Sequence, residues 1–241
     1  TGRGKYYREI AEKPAIYKDT PRYYARYGMP IESFREKLEA LPEVDMIFMT
    51  TLMTYWIEGV QFTIDELVKR YPRAKIVLGG IIPSLIPPEE IADHISPSHY
   101  IIPGYGEEKI LELIEQAGGK VYPHPDFSHL DNIPHPAFDL LADRKSLPLL
   151  TSRGCPFHCT YCASGILNER FVERSAEKIL DEIYDSHEKF GTERFIIFDD
   201  ALLVNRRKRF FKVFNAVKDK KAFSFHTPNG MHPGKIDAET A

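Results

Sequence analysis

Three cysteines, Cys155, Cys159 and Cys162, lie in one short segment with the spacing C-x3-C-x2-C, and the chain contains no others. Thiolates are the soft ligands that zinc and iron–sulfur clusters select. A structural metal site normally takes four protein ligands, so three thiolates leave one coordination position open. The spacing therefore predicts a metal centre with a free position for a substrate or cofactor.

Three interpretations of this segment remain open on the residues alone. Three thiolates could hold a [4Fe–4S] cluster, or zinc could take His158 as its fourth ligand. His158 directly precedes Cys159, and neighbouring side chains rarely point at the same metal. The third interpretation is reduced structural cysteines. Clustered cysteines in a cytoplasmic protein favour a metal or redox role over disulfides, and a cytoplasmic location is our expectation.

The elements that must position these cysteines alternate between short apolar strands and helices. Strands are predicted at residues 46–50, 75–78, 99–102, 147–151, 194–198 and 222–226. Helices are predicted at residues 31–41, 60–70, 88–94, 107–116, 175–190 and 206–217. This order predicts an α/β fold with parallel sheets, preceded by a lead-in over residues 1–30 that contains short helical pieces.

Two domains and a linker follow from this pattern. The pattern predicts a doubly wound parallel domain over residues 1–120 that lacks its first strand. It predicts the N-terminal part of a parallel (β/α) barrel over residues 137–241. Residues 121–136 are rich in proline and histidine and predict a linker. Because the sequence begins with Thr1 and ends within a predicted helix, we expect it to be an internal segment of a longer protein.

Polar and small residues follow the predicted strands, where ligands bind in parallel sheets and barrels. In the second domain the cysteine segment, the Asp199–Asp200 pair and Asn229 each follow a strand. In the first domain the strand ends carry hydroxyl groups or glycines, which let a ligand approach the backbone closely. These residues are Thr50, Thr51, Gly79, Gly80, Gly104 and Gly106.

The cysteine segment, with Tyr161 before its last cysteine, resembles the radical S-adenosylmethionine (radical SAM) enzymes. The resemblance implies that Cys155, Cys159 and Cys162 hold a [4Fe–4S] cluster whose open iron chelates S-adenosylmethionine. It also implies reductive cleavage of that cofactor to a 5′-deoxyadenosyl radical. The implied contacts to S-adenosylmethionine are Phe157, Tyr161, Asp199, Asp200 and Asn229.

Further segments resemble the branch of this superfamily that has an N-terminal cobalamin-binding-type domain. They are Cys162-Ala163-Ser164, Arg174-Ser175, residues 198–203 and residues 227–230. In the first domain, Thr50-Thr51-Leu52 and then Gly79-Gly80 follow the order of the cobalamin-binding fold, with Gly104 and Gly106 at the next strand end. An Asp-x-His-x-x-Gly segment is absent, so no histidine ligand to cobalt is implied. The alternative is a flavodoxin-like domain kept for packing or substrate contact.

The resemblance implies an anaerobic radical enzyme that acts on a small-molecule or otherwise unknown substrate, by cobalamin-dependent methyl transfer or by rearrangement. It also implies an electron donor such as flavodoxin or ferredoxin. A methylthiotransferase that modifies RNA or protein, and a non-enzymatic cluster or cobalamin sensor, are the alternatives. The net charge of −3 gives no footprint for nucleic acid, and no apolar run predicts a membrane span. The basic run at residues 206–209 is interpreted as a solvated helix face.

Overall fold

The computed structural model describes residues 6–95, 100–122, 124–168, 170–219 and 223–240. The strands are β1 (Arg8–Ile10), β2 (Ala25–Tyr27), β3 (Met46–Thr51), β4 (Lys75–Gly80), β5 (Tyr100–Ile101), β6 (Ser146–Leu149), β7 (Ser152–Arg153), β8 (Val172–Glu173), β9 (Arg194–Ile197) and β10 (Ser224–His226). The α-helices are α1 (Ile31–Glu39), α2 (Ile57–Arg70), α3 (Ile81–Leu85), α4 (Pro88–His94), α5 (Glu107–Gln116), α6 (Ser164–Leu167), α7 (Ala176–Phe190) and α8 (Phe210–Val217). Residues 99, 123 and 222, which fall in predicted elements, lie outside the described residues.

The chain divides into two compact units, and the first comprises Thr1–Leu78 and Pro88–Ile101. Its sheet has the order β3-β4-β5, and β4 pairs with β5 in parallel. Ile64, Ile76 and Leu78 are fully buried because α2 and β4 turn their apolar faces toward the same core. The alternation of strands and helices predicted from the sequence is confirmed here.

The lead-in to the first unit differs from its prediction. Strands β1 and β2 form an antiparallel ribbon in which Arg8 pairs with Tyr27, and one helical turn of 3-10 type lies between them at Ala15–Tyr17. The helical piece was therefore expected, but the ribbon was not. Strands of three residues carry too few positions for a recognisable alternation.

The second unit comprises Gly79–Pro87 and Ile102–Ala241. Its main sheet has the order β10-β9-β6, with both pairings parallel. Leu147 and Phe195 from this sheet pack with Ile179 and Ile183 of α7 in one buried cluster. Residues 79–87 and 102–120, which the sequence assigned to the first domain, lie in this unit. The assignment of the two domains to fold families stays a prediction.

Helix α7 agrees with its predicted bounds to within one residue. The hydroxyl of Ser175 accepts a hydrogen bond from the amide of Lys178 and caps the first turn. Gly191, with a φ of 66°, adopts the left-handed conformation that ends the helix. The cap, the apolar spacing and the stop residue together confirm the predicted helix at residues 175–190.

Helix α8 begins at Phe210, later than predicted, and turns occupy residues 202–209. The interpretation of residues 206–209 as a solvated helix face is wrong in two respects, because they precede the helix and Arg209 is only 2% exposed. Arg207 and Lys208 are exposed, as expected. Strand β6 also ends earlier than predicted, at Leu149, and the chain then turns into β7. Among the described residues, no helix combines the length and apolarity needed to cross a bilayer.

Candidate functional site

The cysteine segment lies in an excursion of the chain that leaves the end of β6 and returns before α7. A short antiparallel ribbon closes this excursion, because Ser152 of β7 pairs with Glu173 of β8 and Arg153 pairs with Val172. We call residues 154–171 the cysteine loop. Its first residue, Gly154, has a φ of 79°, and a Cβ there would lie 2.7 Å from the carbonyl oxygen of Arg170. Only glycine fits at this entry point.

The three cysteines are free thiols, with Cys155 partly buried and Cys159 and Cys162 exposed. The amide of Cys162 donates to the carbonyl of Cys159 at 3.0 Å, which folds this part of the loop into a turn. The amide of Ser164 donates to Sγ of Cys162 at 3.4 Å. No three Cys, His, Asp or Glu side chains within the described ranges are gathered in a metal-binding arrangement. The donor set itself, three free thiols in one closed loop, fits a thiolate-held cluster.

Asp199 follows β9 and points into the protein, with 3% of its surface exposed. One carboxylate oxygen accepts the amide of Thr151 at 2.7 Å, and the other accepts the hydroxyls of Thr151 and Ser152. Its direction continues the alternation of the strand, in which Phe195 and Ile197 are also buried. This period-two pattern was the signal that could have separated Asp199 from Asp200 in the sequence.

Asp200 points the other way and is exposed. Its Oδ2 accepts the hydroxyl of Ser164 at 2.9 Å, just after the last cysteine. Asn229 is also exposed and lies beyond β10. Its side-chain amide donates to the carbonyls of Phe198 and Asp199 at 2.9 and 3.3 Å. The structure thus brings Asp200 and Asn229 to the end of β9 that also faces the cysteine loop.

The two aromatic residues predicted for the cofactor occupy different environments. Tyr161 is 91% exposed. Phe157 stacks on His232, with ring centroids 4.2 Å apart. Tyr161 is therefore the one of the two whose ring is free to cover a ligand, while Phe157 joins the loop to the segment after β10.

Arg209 is a buried charged residue for which the sequence predicted no role in the site. Its guanidinium donates to the carbonyls of Thr151 and Leu202, each at 3.0 Å. It also forms ion pairs with Glu173 at 3.3 Å and Asp199 at 3.7 Å. Burial lowers the pKa of Arg209, and the charges of Asp199 and Glu173 oppose that shift. No local pattern marks this arginine, because both carboxylates come from distant positions in the sequence.

The residues predicted for cobalamin are described within each unit separately. In the first unit Thr50 and Leu52 are exposed at the end of β3, whereas Thr51 is buried. In the second unit Ser84 joins the glycine segments, since its hydroxyl donates to the carbonyl of Gly80 at 2.7 Å and accepts the amide of Gly104 at 2.9 Å. Gly79 ends β4 beside Gly80, and Gly106 directly precedes α5.

Comparison with known proteins gives a match to the radical SAM superfamily over residues 149–238. An uncharacterized methyltransferase of Pyrococcus horikoshii is 33% identical over 110 residues, which are 41% of this chain and 24% of that protein. The anaerobic magnesium-protoporphyrin IX monomethyl ester cyclase of Cereibacter sphaeroides is 24% identical over 73% of this chain and 33% of its own length.

Among solved structures, the fold is similar to that of the apo, selenomethionine-labelled cobalamin-dependent S-adenosylmethionine radical enzyme OxsB. The TM-score is 0.59 at 19% identity, over 83% of this chain and 32% of OxsB. At this identity the likeness concerns the fold. The chain thus spans between 24% and 33% of the length of these proteins.

Proposed function

We propose that residues 149–238, which match the radical SAM superfamily, bind a [4Fe–4S] cluster through Cys155, Cys159 and Cys162. One observation carries the proposal: all three thiols lie in a single loop that the β7–β8 ribbon closes, shortly after the carboxyl end of the parallel strand β6. When bound and reduced, such a cluster supplies the electron for cleavage of S-adenosylmethionine at its open iron.

The protein's own residues bind and orient S-adenosylmethionine in this proposal. Exposed Asp200 accepts the cofactor's ammonium group, and Asn229 keeps the strand end in place through its two carbonyl contacts. Tyr161 covers the adenosine part from the loop; Phe157 was predicted to share this role, but its ring stacks on His232. Asp199 was predicted to share this role, but its oxygens are engaged with Thr151 and Ser152, so Asp200 is the favoured contact.

We propose methyl transfer to a small-molecule substrate, with cobalamin as the second cofactor. The Pyrococcus relative, named as a methyltransferase, and the fold likeness to a cobalamin-dependent enzyme support this. Thr50, Thr51, Leu52, Gly79, Gly80, Gly104 and Gly106 are the proposed cobalamin contacts. A cytoplasmic, anaerobic enzyme that receives electrons from a flavodoxin or ferredoxin completes the proposal.

The test is anaerobic purification of the full-length protein, reconstitution with iron and sulfide, reduction, and measurement of 5′-deoxyadenosine. Replacing any one of the three cysteines with alanine should abolish bound iron and product together, because one corner of the cluster is unheld. His158→Ala is the matched control, because His158 is an exposed neighbour of the cysteines. This variant should retain bound iron and form 5′-deoxyadenosine. Product formation without iron contradicts the proposal. A cluster without product would leave a sensor, not an enzyme.

Cobalamin binding needs its own variant. A Cβ at Gly79 would come no closer than 3.9 Å to the Ile102 carbonyl, so Gly79→Ala should fold normally. If the glycine lets cobalamin approach the backbone, this variant should lose bound cobalamin, measured by visible absorbance. Gly59→Ala, at a helical position with open space around it, should keep it. Equal cobalamin content in both variants would remove Gly79 from the site.

A further inference from the structure

The base of the cysteine loop is held by a carboxylate that has no room for a ligand. Asp199 binds the amide and hydroxyl of Thr151 and the hydroxyl of Ser152, where the chain enters the loop. Three donors on two oxygens satisfy this buried carboxylate within the protein. The role of Asp199 therefore differs from that of its neighbour Asp200.

The second charge of this arrangement reaches both arms of the ribbon. Arg209 donates to the carbonyl of Thr151 at the entry and pairs with Glu173 at the exit. The amide of Asn205 donates to the other oxygen of Glu173 at 2.6 Å. Because Asp199 is fully buried beside Arg209, replacing the arginine would leave this carboxylate in the interior without the guanidinium that pairs with it.

We propose that Asp199 and Arg209 are positioning residues that clamp the base of the cysteine loop, acting through Thr151, Ser152 and Glu173. The inference rests on the proposed function in one respect, that the loop carries the cluster. Asp199 then acts on the metal centre without touching S-adenosylmethionine, whereas its neighbour Asp200 contacts the cofactor. Asp199 positions the loop and Asp200 binds the cofactor, because the two adjacent side chains point to opposite sides of the chain that continues β9.

The first measurement needs no cluster. In the full-length protein without metal, alkylation of each cysteine by iodoacetamide is followed by mass spectrometry. Cys155 is partly buried and follows the clamped residue Ser152 by three positions in the sequence. Cys159 and Cys162 are exposed and serve as internal references. In Asp199→Asn and Arg209→Met, Cys155 should react about tenfold faster relative to the references, because the loop base opens more often. Asp200→Asn should leave this ratio unchanged.

The second measurement uses the reconstituted protein. Iron release to a chelator should accelerate in Asp199→Asn and Arg209→Met, while the Kd for S-adenosylmethionine of protein that still holds its cluster stays near the parent value. Asp200→Asn should show the reverse, with a raised Kd and unchanged iron release. If Asp199→Asn raises the Kd and leaves iron release and Cys155 alkylation unchanged, Asp199 is a cofactor contact and the clamp is refuted.

Variants on the loop side keep the test valid if the charge variants fail to fold. Thr151→Val and Ser152→Ala remove the hydroxyl donors to Asp199 and leave the Asp199–Arg209 pair intact. Both should raise Cys155 alkylation, and Thr151→Ser, which keeps a hydroxyl, should restore the parent rate. No change in Thr151→Val and Ser152→Ala refutes the clamp. Altered alkylation in a protein that binds no cluster would retain the clamp and reject the proposed function.

Discussion

Arg153 directly precedes Gly154, the first residue of the cysteine loop. Its guanidinium carbon lies 4.4 Å from the centre of the Tyr105 ring. Arg153 also pairs with Glu107, and the phenol of Tyr105 donates to the side-chain oxygen of Asn168. The segment before α5 thereby contacts the cysteine loop near both of its ends. Burial raises the pKa of Tyr105, and the charge of Arg153 opposes that shift, so the phenol stays a donor near neutral pH.

Tyr105→Phe separates the two contacts of this ring. The variant keeps the ring under Arg153 and loses the donor to Asn168, so the free energy of unfolding should fall by about 1 kcal/mol. Tyr105→Ala should cost about 1 kcal/mol more, because the cation–π contact is lost as well. Urea denaturation measures both values. Tyr122→Phe, at an exposed tyrosine, should be neutral, and an equal loss there would show that the Asn168 contact contributes nothing.

Gly154→Ala should strain the entry to the cysteine loop. The backbone has a φ of 79° and the new methyl group would meet the Arg170 carbonyl, so the expected cost is about 2 kcal/mol or more. The reconstituted variant should also retain less iron. Gly165→Ala is the control, since that helical position has open space and should be neutral or slightly stabilising. Matching stabilities for the two variants would contradict the loop geometry.

Glu66 should make the stability of the first unit depend on acid. Arg35 donates to its two oxygens at 2.5 and 3.1 Å and Lys69 lies at 2.8 Å. The hydrogen bond from Arg35, followed by that from Lys69, lowers the pKa of Glu66 from 4.5 to about 2. A lowered pKa contributes stability that is complete above the unfolded value and is lost as pH falls toward the folded value.

The test compares Glu66→Gln with the parent protein by denaturant unfolding from about pH 7 to about pH 3. The variant should be less stable at neutral pH, and the difference should shrink progressively below about pH 4.5. Glu39→Gln, at an exposed carboxylate on α1, should show a small difference across the range. A Glu66→Gln difference that does not change with pH would exclude the predicted linkage.

Ser175 should contribute to α7 through its cap. Ser175→Ala removes the acceptor for the Lys178 amide and should lower the unfolding free energy by about 1 kcal/mol. Ser175→Asp keeps an acceptor at this position and should recover most of the loss. If alanine and aspartate behave alike in thermal unfolding, the hydroxyl does not cap the helix.

The sequence predicted the elements whose evidence is local. Helix α7 has a cap, an apolar stripe and a glycine stop in one continuous segment, and each is visible in the residue order. The cysteines were recognised because their spacing carries the chemistry. The β7–β8 ribbon was missed because two-residue strands have no alternation to detect, and they pair only when the loop between them closes.

Burial of charge was the other feature that the sequence did not reveal. Arg209 ends a run of four basic residues, and such runs are usually solvated. Its burial depends on contacts that only the fold brings together: the carbonyls of Thr151 and Leu202 and the carboxylates of Glu173 and Asp199. The opposite directions of Asp199 and Asp200 were predictable in principle, because alternation along β9 assigns one to each face.

The ribbon that closes the cysteine loop consists of two residue pairs, Ser152 with Glu173 and Arg153 with Val172. So short a closure makes the loop a separate unit of local unfolding, with a smaller opening free energy than the sheet whose core includes Leu147 and Phe195. Cys155, the partly buried cysteine, can therefore become fully accessible while the rest of the second unit remains native. Assembly of the proposed cluster would then require only a local opening of a unit that is already folded.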